Sequence, residues 1–287
     1  MADASVTSET YESLRPLAFS IAYRMLGSVT EAEDVVQEGL LRLHRTEDVE
    51  HPRAFVATVV TRLSIDELRS ARARRETYPG TWLPEPIVTD SRPDDESVSM
   101  ALLITLESLT PVERAVFLLH DVFDYGYDEI AEIVGKTREN CRQLALRARR
   151  HVEARKTRFE TSREQREQLA ARFFEAIREG DLDGLVALLA EDAVATGDGG
   201  GKAAARPTPL RGGEKVARFM LGLMRLAERH AYTFEFLELN GEPGALIRED
   251  GEVAGTMIIE VSGDRITAVR SVVNPDKLRH LRSDLTP

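Results

Sequence analysis

Residues 127–150 read YDEIAEIVGKTRENCRQLALRARR. The apolar spacing predicts a short helix over 127–134, a turn over 135–137 and a longer basic helix over 138–150. Two helices joined by a tight glycine-containing turn form a helix-turn-helix, whose second helix enters the major groove of DNA. The residues expected to pack the two helices together are Ile130, Ala131, Ile133, Val134, Leu144, Leu146 and Ala148.

The second helix of this segment is predicted to present polar side chains outward. These residues are Arg138, Asn140, Arg142, Gln143 and Arg147. Arginine pairs with guanine in the major groove, and asparagine or glutamine pairs with adenine. Arg149, Arg150 and Arg155 suit backbone phosphates better. A solvated basic helix at the end of a bundle is the alternative that this segment alone leaves open.

The charge of the chain is unevenly distributed. The 287 residues carry a net charge of −11, which by itself disfavours non-specific binding to nucleic acid. Residues 136–158 nevertheless hold nine basic and two acidic side chains, and residues 62–75 hold five arginines against two acids. Two basic helices in an acidic chain predict contact with nucleic acid at two places.

Composition also excludes several classes of protein. The single cysteine, Cys141, rules out an internal disulfide framework and a multi-cysteine metal site. No apolar run approaches the ~20 residues that span a bilayer, and the polar start of the chain is not a secretory signal. We therefore expect a cytoplasmic protein with no membrane contact, no metal and no cofactor.

The chain divides into four parts at changes in composition. Residues 10–76 and 98–158 are predicted to be all helical, and proline-bearing residues 77–97 to link them. Thr30 with Glu33 and Thr110 with Glu113 have capping-box spacing, so Thr30 and Thr110 are each expected to begin a helix. Pro52 suits the first turn of another helix. Residues 162–287 are predicted to form an α+β domain, with helices first and then an antiparallel meander.

Several motifs carry a resemblance to one family. Residues 11–75, with EDVVQE at 33–38 and IDELR at 65–69, resemble region two of the sigma-70 superfamily in its small extracytoplasmic-function branch. Residues 98–158 resemble region four of the same branch. WLPEP at 82–86, DGGGK at 198–202 and NPDKL at 274–278 resemble a subgroup with a fused SnoaL-like domain of the NTF2-like fold. The expected fold is thus multidomain: two all-α sigma domains followed by an α+β NTF2-like cone.

The resemblance implies two partners, core RNA polymerase and promoter DNA. Polymerase would bind Asp34, Gln37 and Glu38, whose spacing places them on one helix face. The residues implied for the −10 element are Arg62, Arg69, Arg72, Arg74 and Arg75. Those implied for the −35 element are Arg138, Asn140, Arg142, Gln143, Arg147, Arg149 and Arg150. Many such factors carry asparagine where Arg62 stands.

The resemblance also implies that the fused domain regulates the two sigma domains in place of a separate anti-sigma protein. The implied regulatory interface joins three segments: Trp82, Leu83, Pro84, Glu85 and Pro86; Asp198, Gly199, Gly200, Gly201 and Lys202; and Asn274, Pro275, Asp276, Lys277 and Leu278. We expect a transcription initiation factor that is a monomer. Whether an unknown small ligand occupies the third domain is left open.

Two other functions remain as alternatives. A one-component, ligand-responsive DNA-binding regulator leaves residues 10–76 unexplained. A SnoaL-type enzyme with helical appendages leaves both basic helices unexplained. The bases available to such an enzyme are Asp192, His230, Glu235 and Glu260. Because strand alternation turns Phe234, Phe236, Met257 and Ile259 inward, a plain apolar core is expected instead, and no catalysis.

Overall fold

The computed structural model describes residues 8–89, 98–154 and 161–283, without the side chains of residues 8, 9, 72, 73 and 283. The described residues form two compact units. The first contains residues 8–77 and 102–154, and the second contains 78–89, 98–101 and 161–283. The linker predicted over 77–97 therefore packs, in its described part, with the C-terminal unit. In the described part of the chain, no helix has the length and apolarity to cross a bilayer.

The first unit is all helical, as predicted. Its helices are α1 (Ser8–Leu26), α2 (Val29–Arg45), α3 (Pro52–Glu76), α4 (Met100–Leu106), α5 (Pro111–Phe117), α6 (Tyr127–Val134) and α7 (Arg138–Glu153), with α4 beginning two residues before the unit does. A π-helical turn, Leu118–Val122, follows α5. Helices α1, α2 and α3 pack on one another, and their buried side chains include Ile21, Val36 and Val60. Amphipathic spacing thus produces a helical bundle with its apolar faces inside.

The ends of these helices follow local chemistry. Gly27 takes φ 68° and ends α1, as a glycine at this position does without steric cost. Ser28, rather than Thr30, caps α2, since its hydroxyl accepts from the Glu31 backbone N–H at 3.2 Å. The prediction for Thr30 was therefore wrong by two residues. The capping box predicted at Thr110 is confirmed.

The second unit combines helices with one six-stranded sheet. Its elements are α8 (Arg163–Glu179), α9 (Leu182–Leu188), β1 (Leu189–Asp198), β2 (Leu210–Arg211), α10 (Gly213–Arg229), β3 (Thr233–Leu239), β4 (Glu242–Glu249), β5 (Glu252–Ser262), β6 (Arg265–Val272), a 3₁₀ turn (Pro275–Leu278) and α11 (His280–Ser283). The strand order is β2-β1-β6-β5-β4-β3. Strand β1 runs parallel to β6, and the other neighbours are antiparallel.

The predicted meander is present as β3 to β6, but three strands, β1, the two-residue β2 and β4, were missed. Strand β1 was not predicted, because it follows α9 directly, without a turn signal. Strand β4 was not predicted either, although Asn240-Gly241 marked its start. Both residues have positive φ, 53° and 70°, as the two central residues of a type I′ hairpin turn require.

The sheet and helices α8, α9 and α10 enclose an apolar core that includes Phe173, Leu185, Met220 and Ile259. Side chains of the sheet and of helices α8 and α10 line a cavity of about 1440 Å³ in the same unit. Phe236 lines this cavity and is 61% exposed, so the expectation of a plain core was wrong there. Some apolar side chains of the sheet therefore line an open space instead of meeting opposite partners.

Candidate nucleic-acid surface and linker cluster

The helix-turn-helix predicted at 127–150 is formed by α6 and α7. Thr137 caps α7 by accepting from the Asn140 backbone N–H at 3.2 Å. The core between the helices contains Ile130, Ile133, Cys141, Leu144 and Ala145. Leu146, expected in this core, is instead 48% exposed on the outer face. Ala145 and Ala148 are fully buried and lie on the inner face of α7. Leu146 follows Ala145 by one residue, about 100° around the helix, so its side chain points away from that face.

The polar side chains of α7 lie at the surface as predicted. Arg138, Asn140, Arg142, Gln143, Arg147 and Arg150 are exposed, and Arg149 is half-buried. Three arginines pair with acids of the same unit: Arg138 with Asp128 at 3.1 Å, Arg147 with Glu113 at 3.2 Å and Arg149 with Asp121 at 2.6 Å. The Arg138–Asp128 pair is exposed, and such a pair contributes about 0–1 kcal/mol, so a phosphate or base edge can displace it. In the other two pairs the acid is only partly accessible to solvent. Arg155 lies outside the described residues.

The arginines predicted for the −10 element divide into two sets. Arg69 and Arg74 are exposed, with Arg69 paired to Asp66 at 2.9 Å and Arg74 paired to both Glu31 and Glu67. The side chain of Arg72 lies outside the described residues. These exposed pairs leave the guanidinium groups within reach of solvent.

Arg62 and Arg75 instead bind within the first unit. Arg62 donates from Nε to the Ile133 carbonyl at 2.9 Å and from Nη2 to the Glu132 carbonyl at 2.8 Å. Arg75 donates to the Leu26 carbonyl at 2.7 Å and pairs with Glu107. Arg62 therefore joins α3, which carries the predicted −10 residues, to the last turn of α6 in the helix-turn-helix.

We call helices α1–α3 and helices α4–α7 the two helical modules of the first unit. A buried arginine reinforces the contact between them. Arg114 of α5 is 1% exposed and donates to the Arg24 carbonyl of α1 at 2.9 Å and to Glu107 at 2.6 Å. Burial lowers the pKa of Arg114, and Glu107 opposes that shift. Glu107, in the loop after α4, thus pairs with Arg75 of α3 and with Arg114 of α5. This loop therefore contacts both modules.

The residues predicted to bind polymerase share one face of α2. Asp34 and Gln37 are exposed, and Glu38 pairs with Arg42 at 2.7 Å. Leu41, also on this helix, is 38% exposed. The face therefore offers carboxylates beside an apolar side chain, a combination suited to a basic protein partner.

The three motifs predicted to form the regulatory interface meet around one buried carboxylate. Asp198, at the end of β1, is fully buried. It accepts from the Tyr78 hydroxyl at 2.5 Å, from the Leu83 N–H at 2.8 Å, from the Gly200 N–H at 3.1 Å and from Lys277 Nζ at 2.7 Å. Four donors replace the water that the carboxylate loses on burial. We call these residues, with Trp82 and Asn274, the linker cluster.

Lys277 provides the positive charge of the linker cluster. Its side chain is 8% exposed and also donates to the Leu83 carbonyl. Its ammonium lies 4.1 Å from the centre of the Trp82 ring and 5.1 Å from that of Tyr78. Aromatic faces attract a cation, so Trp82 is held by charge as well as by contact. The sole tryptophan of the chain is therefore docked rather than part of a free spacer.

Tyr78 and Asn274 complete the linker cluster. Asn274 donates to the Tyr78 hydroxyl at 2.8 Å and accepts from the Asp276 N–H at 3.1 Å. Burial, together with the nearby Asp198 carboxylate, raises the pKa of Tyr78, so its hydroxyl keeps the proton that it donates. The sequence did not predict Tyr78, because it precedes the WLPEP motif.

Glycine is required where the DGGGK loop crosses the linker. Gly200 has φ 57°, and a Cβ there would lie 2.2 Å from Asn274 Nδ2. At Gly201, with φ 70°, a Cβ would lie 2.9 Å from Pro79. Lys202 closes this loop by pairing with Asp276. The glycines therefore allow the loop to approach the linker and Asn274 closely.

A second anchor holds the end of the described linker. Asn240 is fully buried and exchanges hydrogen bonds with the backbone of Ile87: its side chain accepts at 3.1 Å and its N–H donates at 2.9 Å. Thr89 donates from its N–H to the Glu238 carbonyl at 3.0 Å. Val88 forms a bridge with Leu239. The linker thus extends the edge of the sheet beside β3, a contact with no signal in the motifs.

Three known families match successive parts of the chain. The sigma-70 region 2 family matches residues 10–74, the sigma-70 region 4 family matches 99–152, and the SnoaL-like domain family matches 170–273. Both helical modules are thus of the sigma-70 type, and the sheet-bearing unit is SnoaL-like.

Relatives cover nearly the whole chain. The sigma factor SigJ of Mycobacterium tuberculosis (strain H37Rv) is 40% identical, over 93% of this chain and 91% of SigJ. A probable sigma factor, SigI of Mycobacterium tuberculosis (strain CDC 1551), is 31% identical over 99% of both chains. The crystal structure of Mycobacterium tuberculosis SigJ superimposes with a TM-score of 0.79 and 35% identity, covering 98% of this chain and 100% of that one. The chain therefore belongs to the extracytoplasmic-function (ECF) sigma factors of RNA polymerase, in which sigma-70 domains serve promoter-directed initiation, and it carries a fused SnoaL-like domain.

Proposed function

We propose that the SnoaL-like unit restrains this sigma factor by holding the linker between its two sigma domains, in the role that a separate anti-sigma protein has elsewhere. The observation that carries the proposal is the buried Asp198–Lys277 pair, which grips Leu83 by both its N–H and its carbonyl. The linker connects the domains for the −10 and −35 elements, so fixing it limits how far they can separate.

The geometry of the linker cluster supports a lock that can open. Since the linker and the SnoaL-like unit share one chain, their effective concentration is about millimolar, and modest contacts suffice to keep them together. The contacts are largely polar and ionic, so a competing surface can replace them individually. Docking on core RNA polymerase supplies such a surface in this proposal.

We assign the partner surfaces as the sequence predicted them. Core polymerase binds the α2 face of Asp34, Gln37 and Glu38. The −35 element is read by the exposed face of α7, with Asn140 and Gln143 on bases and Arg149 and Arg150 on phosphates. The exposed arginines of α3 bind the −10 element.

The two arginines that bind within the first unit support a restrained free state. Arg62 donates two hydrogen bonds to carbonyls of α6, and Arg75 forms an ion pair with Glu107. For either to reach DNA, α3 must separate from the helix-turn-helix. We propose that this separation accompanies polymerase binding, and that the free chain is a monomer with little promoter affinity.

We propose that the SnoaL-like unit is not catalytic. Asp192, His230 and Glu235 are exposed and Glu260 is buried, and none of the four is among the residues that line the cavity. Glu260 is held by Arg270 through bonds of 2.9 and 3.2 Å, and Glu235 by Arg248 at 3.0 Å. A general base must lie within hydrogen-bond reach of its substrate. A substrate bound in the cavity would be out of reach of these four side chains.

Reconstituted run-off transcription tests the proposal. Core polymerase and the promoter upstream of this chain's own gene are combined with the full chain, with a chain ending at Val273, or with Asp34→Arg. The truncated chain loses Asn274 and Lys277, so we expect its transcript level to differ from that of the full chain. Asp34→Arg should reduce polymerase binding in a pull-down and the transcript with it. Equal output from full and truncated chains would contradict the lock, and failure of the full chain to bind polymerase would contradict the assignment of function.

A further inference from the structure

The cavity of the SnoaL-like unit is apolar and open to solvent. It measures about 1440 Å³, above the ~300–1,000 Å³ of common ligand pockets. Phe236, Leu226 and Leu223 line it and are 61%, 48% and 37% exposed. The Phe174 ring lies 4.6 Å from that of Phe236, which forms an aromatic wall. Exposed apolar side chains grouped in a concavity indicate a ligand with an apolar body.

The wall of the cavity is built from the segments that hold the linker. Thr196 and Gly197 line the cavity, and the next residue is Asp198 of the linker cluster. Val273 and Pro275 line it on either side of Asn274. Residues 203–206 line it directly after the DGGGK loop, and Pro207 accepts from the Thr81 hydroxyl at 3.4 Å. The cavity wall and the residues that hold the linker therefore belong to the same three stretches of chain.

One cation marks a place for an acidic head group. Arg206 lies at the cavity with its guanidinium 5.7 Å from the Phe219 ring, and within the described residues no carboxylate forms an ion pair with it. Other arginines at the cavity are paired, such as Arg163 with Glu238 at 3.0 Å. Five carboxylates among the described residues also line the cavity: Glu167, Glu175, Glu228, Glu238 and Glu249. Glu167 and Glu238 pair with Arg163, and Glu175 pairs with Arg178. Glu228 follows Phe219 by nine residues on α10, about 13 Å along the helix. The Arg206 guanidinium is thus the positive group that a ligand would meet, four residues after the DGGGK loop.

We propose that this cavity binds an amphipathic carboxylic acid, with its apolar chain against Phe174 and Phe236 and its carboxylate on Arg206, and that occupancy changes the grip on the linker. A carboxylate and a guanidinium form a charge-assisted, bidentate contact that an alcohol does not. The effect on the linker rests on the proposed function above. The binding itself does not, because it concerns the sigma factor alone.

Trp82 supplies a built-in reporter for the test. The full chain is titrated with dodecanoate and, separately, with 1-dodecanol, below the concentration at which either aggregates. Binding is followed by calorimetry, and the linker cluster by the emission of Trp82. We expect one saturable site for dodecanoate, at least tenfold weaker binding of 1-dodecanol, and a shift in Trp82 emission that saturates together with the calorimetric signal.

Three variants assign the effect to the cavity. Arg206→Gln should weaken dodecanoate about tenfold and leave 1-dodecanol unchanged, because a charge-assisted bond is lost. Phe236→Ala should weaken both probes. Val186→Ala, at a 36% exposed apolar residue that does not line the cavity, should weaken neither.

Three results would overturn the proposal. No saturable binding of dodecanoate removes the site, and equal binding of 1-dodecanol removes the acidic head group. Binding that leaves Trp82 emission unchanged removes the coupling to the linker. None of these results requires polymerase, so they are distinguishable from a failure of the transcription experiment.

Discussion

Replacing Lys277 with methionine removes the only charge that offsets Asp198 inside the linker cluster, while keeping an unbranched apolar stem. Removing one partner of a buried ion pair costs about 3–5 kcal/mol, since the other charge stays in a dry site. Asp198 keeps three donors, from Tyr78, Leu83 and Gly200, so the lower end of that range applies. A loss of about 3 kcal/mol favours the released linker by about 100-fold.

Two measurements report this release. Trp82 loses the ammonium 4.1 Å from its ring and becomes hydrated, so its emission should move to longer wavelength. Run-off transcription with core polymerase should change in the same variant, as the lock no longer opposes separation of the sigma domains. Lys202→Met is the matched control: its pair with Asp276 is exposed, with side chains 56% and 39% accessible, and is worth about 0–1 kcal/mol.

A double-mutant cycle isolates the pair itself. If Lys277 and Asp198 interact as the structure shows, Lys277→Met combined with Asp198→Asn should cost less than the sum of the two single changes. The reasoning is refuted if Lys277→Met melts within about 0.5 kcal/mol of Lys202→Met and leaves Trp82 emission unchanged. Such a result would mean that the linker is held by backbone contacts alone.

Three further predictions follow from local geometry. Gly135→Ala and Gly200→Ala should each cost the backbone strain of about 1–2 kcal/mol, because both glycines have a similar positive φ. Gly200→Ala should cost about 1–3 kcal/mol more, because its Cβ would collide with Asn274, whereas nothing lies within 4 Å of the atom added at Gly135. Thermal unfolding compares the two variants, and equal costs would contradict the collision. Burial raises the pKa of Glu242 to about 7, so the folded state favours the protonated acid. The folded state therefore loses up to about 3 kcal/mol of stability as pH rises from about 4.5 to 7. Glu242→Gln should flatten that part of a profile of melting temperature against pH, and an unchanged profile would contradict the argument. Gln143→Ala should weaken holoenzyme binding to a promoter by about 1–3 kcal/mol at one −35 position, and an equal loss on every sequence would contradict base reading.

The hydrophobic cavity was beyond prediction for a specific physical reason. Alternation along a strand shows that Phe234, Phe236 and Met257 share a face, and the structure confirms that these three line one space. Alternation does not say whether helices or other strands cover that face, since the covering elements are far apart in the chain. The same side chains would fill a core where apolar partners meet them and line a pocket where none do.

Local chemistry was sufficient for much of this protein. Helix periodicity, Pro52, the Thr110 box and the turn at Gly135 specify α3, α5, α6 and α7 without reference to the rest of the chain, because capping and helix formation act within a few residues. Motif resemblance added the family. Only the tertiary structure decided that Asp198 and Lys277, 79 residues apart, share one hydrogen bond and enclose Leu83. It also decided that Arg62 donates to two carbonyls of α6 and that Leu146 lies outside the core. These features depend on which surfaces meet, and that is determined by the packing of the whole unit rather than by any single segment.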